Sequence, residues 1–501
     1  MKVVVLGRMN IKMTQGLTGK IFKSFTILIL CAGMYLLFVS LFSRNIGDND
    51  LWGYLSFGKV FWESGYFPFQ DIFSYTPTKT LWVYHEWLTG VIFYFILMQA
   101  GPAGLQLLQY VIIILTLCLI YSTAIKKGAD TVFALIALIP AMLLISFGYV
   151  PVRAQIFTYL FFILTIYILE TAKIKQRWAI LLWLLPVHVV WCNLHGGFIA
   201  GIGLIALYAL GEGISGKKAI PFIAICFLAG AATMINPYGP EYWRFIINSI
   251  SMPRPEIGEW FSVTVALKRN YQPVPVIVFI LLTFVSLLII LLQRKRSLTD
   301  LIVIGATTYL GVAHVRHTIF PGIIFGAFIP FMLNDLWKSY MAGRPSVLHK
   351  TLCFPQLVLT FVFLSVYWFS NQSMITNIKP SFVIQALQSH YPTGAIEWMK
   401  RNNFRGKILS DFDWGEYIIW TCYPDLKVAM DGRYETVYDT AICREYFDFL
   451  TGREGWNIFL KKYPPDFVLI KPHTATHLLM MGDPAWKTGY ADQWSVLFIK
   501  K

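Results

Sequence analysis

The chain has 501 residues, of which 56% are apolar and 14% charged, and its net charge is +15. A soluble protein carries about 25% charged residues, so the composition excludes an ordinary soluble globule and points to a membrane protein. From residue 371 onward Lys and Arg number 15 against 14 Asp and Glu, and before it 27 against 13. The basic excess therefore lies in short loops between apolar runs, which argues for the positive-inside rule and against nucleic-acid binding.

Apolar runs fall at 25–43, 103–124, 131–149, 155–171, 178–192, 197–211, 219–235, 273–292, 299–313, 318–336 and 352–370. A membrane helix takes about 20 such residues. The runs do not alternate apolar and polar positions, which excludes a transmembrane barrel. The first run follows Lys12, Lys20 and Lys23 without a small-residue cleavage site after it, so it reads as a retained signal anchor.

A further apolar stretch, 86–98, is short and opens on His85-Glu86-Trp87. Charge decides its place. If it does not span, 18 basic residues of the membrane part lie inside and nine outside; if it spans, the count becomes 11 inside and 16 outside. The first arrangement obeys the charge rule, so 86–98 reads as an interfacial amphipathic helix. The expected architecture is a polytopic α-helical protein of the cell (inner or plasma) membrane, with about eleven spans in residues 1–370. A long first outer loop, 44–102, belongs to that part. The N-terminus is expected inside and a small α/β domain, 371–501, outside.

That domain is expected from a helix at Thr393–Asn402 and strand-like runs at Lys407–Ser410, Lys427–Met430, Phe467–Ile470 and Val496–Ile499. Helical patterns at Tyr434–Leu450 and Trp456–Lys462 alternate with the strands. Cys422 and Cys443 fall in this domain, where a disulfide would be open to them; the other five cysteines lie in or beside apolar runs, and no spacing suggests a metal site.

With this topology the unusual polar residues gather on the outer side. In the first loop, Asp48 and Asp50 bracket Asn49 directly after a membrane helix, and an aromatic, Gly/Pro-rich segment follows as far as His85 and Glu86. Two carboxylates so placed suit a divalent cation such as Mg or Mn or a general base; a solvated loop with an Asp helix cap is the plainer alternative. Arg153 stands at an outer helix end, where a phosphate or a lipid headgroup would meet it. His195, within Asn193-Leu194-His195-Gly196-Gly197, marks an anion site or a cap. Glu259 lies in the loop before the eighth span. Arg316 and His317 crowd another outer helix end, where they suit a phosphate leaving group. In the tail, Trp414 and Tyr417 sit in Asp411-Phe412-Asp413-Trp414-Gly415-Glu416-Tyr417, after a strand-like run, where aromatic rings could stack on a sugar; turn chemistry explains that segment as well.

An acidic motif directly after the first span, a long outer loop with an interfacial helix and an outer C-terminal domain resemble the GT-C superfamily of membrane glycosyltransferases. That group includes protein O-mannosyltransferases and bacterial lipid A aminoarabinose transferases, and the bacterial RgtA/B/C/D-like branch matches in layout. Many relatives carry adjacent acids where this chain has Asp48-x-Asp50; Trp52 and Gly58 follow Asp50 at the spacing of the family, which favours Asp50 over Asp48. The resemblance implies transfer of a hexosyl or pentosyl group from a polyprenyl-phosphate donor to a glycan, lipid or protein acceptor at the outer face. Asp50 or Asp48 would be the base, and Arg153, Arg316 and His317 would steady the leaving phosphate. A non-enzymatic transporter, flippase or scaffold for lipid-linked glycans is the other class in play; polar residues at bilayer mid-depth would mark it.

Overall fold

The computed structural model describes residues 23–43, 46–149, 152–252, 254–293, 296–342 and 380–501. The eleventh expected span, 352–370, lies outside them. Each of the other ten falls on an apolar helix. In chain order these are α1 (Lys23–Phe42), α3 (Trp87–Lys126), α4 (Thr131–Ser146), α5 (Gln155–Lys175), α6 (Leu184–Leu194, after a 3-10 turn at Trp178–Trp183), α7 (Phe198–Ile214), α8 (Ile220–Ala232), α11 (Pro273–Leu292), α12 (Leu298–Ala313) and α13 (Ile319–Met341). Between them lie α2 (Asn49–Ser64), α9 (Pro240–Ser251) and α10 (Val263–Lys268).

Among the described residues, five helical stretches, Lys23–Phe42, Trp87–Lys126, Gln155–Lys175, Pro273–Leu292 and Val315–Tyr340, are long and apolar enough to cross a membrane. Their most apolar windows differ in burial, from 22% for Pro273–Leu292 to 78% for Gln155–Lys175, so α11 shows its Leu and Phe side chains to the surroundings while α5 forms the middle of the bundle. With no water in a bilayer core to take backbone groups, helices of this kind are the stable spanning form, and the chain is a multi-pass membrane protein.

The stretch 86–98 is not a separate helix in the assignment, because α3 runs from Trp87 through Lys126. The backbone nevertheless leaves helical geometry at Gly101 (φ 62°, ψ −166°) just before Pro102. That positive φ is cheap only for glycine, and Pro102 has no N–H to continue the ladder, so the first segment of α3 is set off from the second. It packs against α2 at a close crossing, where a Cβ on Gly58 would stand 2.5 Å from Cβ of Tyr94 and would also run into the carbonyl of Gly90.

The end of the bundle away from the first loop also carries buried ion pairs. Lys127 lies 3.1 Å from both Glu170 and Asp300, and Lys173 lies 2.9 Å from Glu212, which also accepts the Thr299 hydroxyl at 2.7 Å. These pairs tie α3, α5, α7 and α12 together.

The C-terminal part is a five-stranded sheet of order β2-β1-β3-β5-β4, with β1 Gly406–Ser410, β2 Leu426–Val428, β3 Phe467–Ile470, β4 Trp486–Ala491 and β5 Val496–Lys500. β1 pairs parallel with β2 and β3; β5 pairs antiparallel with β3 and β4. Helices α14 (Thr393–Arg401), α15 (Gly415–Cys422), α16 (Thr440–Thr451) and α17 (Ala475–Gly482) cover it. Cys422 and Cys443 are both free, buried thiols, so the disulfide is not formed.

This domain is joined closely to the membrane part. β2 is an edge strand, and the first loop completes it: Val428 N–H donates to Phe73 O at 3.1 Å and Tyr75 N–H to Val428 O at 3.0 Å. Below that seam Arg433 grips Asp431 through two hydrogen bonds, of 2.8 and 2.6 Å, and pairs with Asp71 of the first loop. The buried apolar core runs without a break from the helices into the sheet.

Candidate functional site

Asp48 caps α2. Its backbone is extended (φ −77°, ψ 153°) and its Oδ1 accepts the Asp50 N–H at 3.1 Å. The cap fixes Asp48 in place and turns Asp50, one step into the helix, toward the space beside it. Arg153, in the loop that opens α5, reaches the same place. Its Nη2 donates to Asp50 Oδ2, its Nη1 donates to Glu259 Oε1 at 2.7 Å, and its Nε stands 3.1 Å from Asp48 Oδ1 at ion-pair distance without hydrogen-bond alignment. One guanidinium thus faces three carboxylates. Burial pushes the Asp48 carboxyl well above its usual range, with Asp50 and Glu259 adding to the effect and Arg153 opposing it. For Glu259 burial acts the same way, but Arg153 and Arg316 outweigh it and hold the group down to about 2.

A second cluster stands beside the first. Glu86 Oε1 lies 3.4 Å from His195 Nε2 and 3.7 Å from His85 Nε2, and it accepts the Tyr54 hydroxyl at 3.3 Å. Burial drives Glu86 up to about 8, with Asp50 adding to the rise and Arg153 opposing it, and drives His85 down to about 4. The three side chains stand close enough for a metal, with ligand atoms within 4.8 Å of one another. The tautomer argues against that use. His195 Nδ1 accepts the Gly197 N–H at 2.8 Å, so the neutral ring carries its proton on Nε2, the atom facing Glu86, and offers no lone pair there. The cation expected at Asp48 and Asp50 does not fit either, because Arg153 already stands against both carboxylates and a dication would meet its positive charge.

Both clusters line one cavity of about 380 Å³. Asp48, Asp50, His85, Glu86, Arg153, His195, Glu259 and Arg316 are brought together there. Three sequence candidates are not among its lining. His317 packs its ring against Trp260, His314 and Phe320. Trp414 is 2% exposed and donates its indole N–H to His390 O at 2.9 Å; Tyr417 packs on Trp52 and Tyr391. Trp414 packs within the domain against His390, and α15 turns Tyr417 into the joint with α2, so neither faces a sugar.

The same lining also holds Glu416, Gly432, Glu435 and Trp260, the last directly after Glu259 in the chain. Trp260 is flanked by two guanidiniums, Arg254 at 4.3 Å and Arg316 at 4.6 Å from its ring centre, and Arg254 pairs with Glu435 at 3.1 Å. Glu416 lies in the segment 411–417, which drew attention for its aromatic rings, and Gly432 lies further along the tail. No spacing in the sequence couples either to Asp50, some 360 or more positions earlier.

No protein-family model matches the chain, and no curated protein matches it. Solved structures do. ArnT from Cupriavidus metallidurans bound to undecaprenyl phosphate superposes with a TM-score of 0.51 at 13% identity, over 95% of this chain and 98% of that one. The same protein in the apo state gives 0.52 at 12% identity, over the same shares. The arabinofuranosyltransferase AftD from Mycobacteria also gives 0.52 at 12% identity over 95% of this chain, which spans 40% of AftD. Agreement over nearly the whole length at such sequence distance is agreement of fold, and the chain shares the fold of ArnT and of the matched part of AftD.

Proposed function

We propose that the chain is a glycosyltransferase that moves a sugar from a polyprenyl-phosphate donor to a hydroxyl acceptor at the outer face of the membrane, with Asp50 as general base. The observation that carries this reading is the meeting of Asp50, Arg153 and Arg316 in one cavity of a GT-C fold. The lipid-linked donor is supported by the undecaprenyl phosphate bound to ArnT.

Asp48 is committed to its cap and to Arg153, whereas Asp50 gives only Oδ2 to Arg153 and turns Oδ1 toward Gly432. In the reaction the acceptor hydroxyl passes its proton to Asp50. Its oxygen bonds to the anomeric carbon, and the bond from that carbon to the phosphate oxygen breaks, the electron pair leaving with polyprenyl phosphate. Arg153 orients the base, since three carboxylates already absorb its charge. Arg316, with Glu259 Oε2 at 4.0 Å, is the less compensated cation and takes the leaving phosphate. The sugar class, pentose or hexose, follows from the donor that is turned over.

The test is release of undecaprenyl phosphate from undecaprenyl-phosphate-linked pentoses and hexoses by the full chain in lipid nanodiscs. Asp50→Asn is expected to lower the rate by about 10²–10⁴-fold, the usual worth of a general base, with unchanged folding. Full activity in that variant would sink the mechanism. Movement of intact lipid-linked sugar across vesicles without its cleavage would favour the transporter class instead.

A further inference from the structure

We propose that Glu416, carried by the C-terminal domain, is an acceptor-binding residue that holds a second hydroxyl of the acceptor next to the one Asp50 deprotonates. The inference rests on the transferase reading above and adds to it an acceptor class, a sugar or other polyol with neighbouring hydroxyls.

Glu416 lies in the first turn of α15, is 4% exposed and lines the same cavity as Asp50. Its Oε2 accepts the Gly53 N–H of α2 at 3.1 Å, which fixes the carboxyl across the joint between the two parts of the chain. Oε1 turns the other way. A Cβ on Gly432 would stand 3.0 Å from Glu416 Oε1 and 3.4 Å from Asp50 Oδ1. The two carboxyl groups therefore face one small space above Gly432, and only glycine keeps it open. Gly53 clears the opposite side, where a Cβ would collide with the carboxyl itself.

A buried carboxyl is costly unless its oxygens are hydrogen-bonded; the Gly53 N–H satisfies Oε2, and Oε1, on the side of Gly432 and Asp50, is the atom placed to meet an acceptor. Asp50 and Glu86 face the carboxyl from the membrane part, and Asp431 and Arg433 from its own domain. Burial, then Asp50 and Asp431, push its pKa well above the ordinary carboxylate range against the pull of Arg433. A protonated carboxyl can give one hydrogen bond and accept another, as a sugar hydroxyl requires.

The experiment uses the full chain in nanodiscs, undecaprenyl-phosphate-linked pentoses and hexoses as donors, and a panel of methyl glycosides with their monodeoxy analogues as acceptors. In the wild type, loss of the hydroxyl beside the attacked one is expected to lower kcat/KM by about 10–100-fold, the cost of leaving a buried group without its partner. Glu416→Ala should lose as much on the full acceptor, mainly through acceptor KM, and should no longer distinguish the deoxy analogue. Glu416→Gln, a neutral isostere, should keep most of the activity and the discrimination. Gly432→Ala keeps the acid but fills the space, its methyl pressing on Oε1 at 3.0 Å, so it should raise acceptor KM at unchanged melting temperature; it decides the matter if Glu416→Ala does not fold. Unchanged acceptor kinetics in Gly432→Ala or Glu416→Ala, or a Gln variant as inactive as Ala, would overturn the role of Glu416 while an inactive Asp50→Asn left the transferase reading standing. No transfer by the wild type with any donor, or full transfer by Asp50→Asn, would overturn that reading itself.

Discussion

Arg153 is the cation that meets all three carboxylates, so Arg153→Met tests the electrostatics of the site most directly. Removing one partner of a buried ion pair costs about 3–5 kcal/mol. Arg153 keeps 19% side-chain exposure and its partners 17–31%, so water screens part of the interaction and the expected loss is at the low end, about 3 kcal/mol. The sign of its pH dependence follows from linkage. Without the guanidinium the three carboxylates crowd one another; Asp48, already raised by burial, rises further, and Glu259 loses a cation that holds it down. Stability from such groups is present below the unfolded pKa and lost as pH rises through the raised folded values. In the wild type Glu259 is held down to about 2, so its contribution is present above the unfolded carboxylate range and is lost on acidification. The two melting curves should therefore converge as pH falls. Tryptophan fluorescence melting in detergent at pH 8 and pH 5.5 measures this, with the larger deficit expected at pH 8. A deficit equal at both values, or none at all, would refute the reasoning, and Asp50→Asn in the Arg153→Met background should recover part of the loss because it removes one of the repelling charges.

Glu86, raised to about 8, contributes stability that is present below its unfolded pKa and lost as pH climbs through 8; Glu86→Gln should flatten the fall in melting temperature between pH 6 and 9, and an unchanged slope would count against a buried, protonated Glu86. Arg433→Met leaves Asp71 and Asp431, 1% and 0% exposed in their side chains, without a cation. It should loosen the seam between first loop and sheet, read as faster hydrogen exchange at Tyr75 and Val428. Gly58→Ala puts a methyl group against Gly90 and Tyr94 and should lower stability by about 1–3 kcal/mol, the usual cost of overpacking; a melting temperature equal to the wild type would mean the α2–α3 crossing can open freely.

The parts of the fold that were legible in the sequence are those whose signal is local. Ten apolar runs became ten helices because long, mostly uncharged runs have few other forms in a membrane protein, and strands such as Phe467–Ile470 announced themselves by composition. β4 was not read, because Trp486–Ala491 is mostly exposed on an edge and carries little hydrophobic pattern. Asp48, Asp50, Arg153 and Arg316 were legible as charges at helix ends, where burying one is costly. Trp414 and Tyr417 were assigned to a ligand on strand-exit reasoning. That reasoning fixes which end of a strand a residue occupies but not which way the following segment turns it: Trp414, just before α15, bonds His390, and α15 turns Tyr417 onto Trp52 and Tyr391. Glu416, one residue from Tyr417, points the other way into the cavity.

That difference bears on how the site is built. The acid of α2 and the acid of α15 come from opposite ends of the chain, and their distance is set by the seam between Phe73–Tyr75 and β2, by Arg433 on Asp71, and by the Gly53 N–H on Glu416 itself. None of these contacts belongs to the reacting groups, yet each fixes their geometry. A cavity assembled this way depends on the docking of the C-terminal domain as much as on any residue inside it. A substitution at the seam should therefore change transfer through acceptor binding before it changes the chemistry at Asp50, which separates an assembly defect from a catalytic one by the split between KM and kcat.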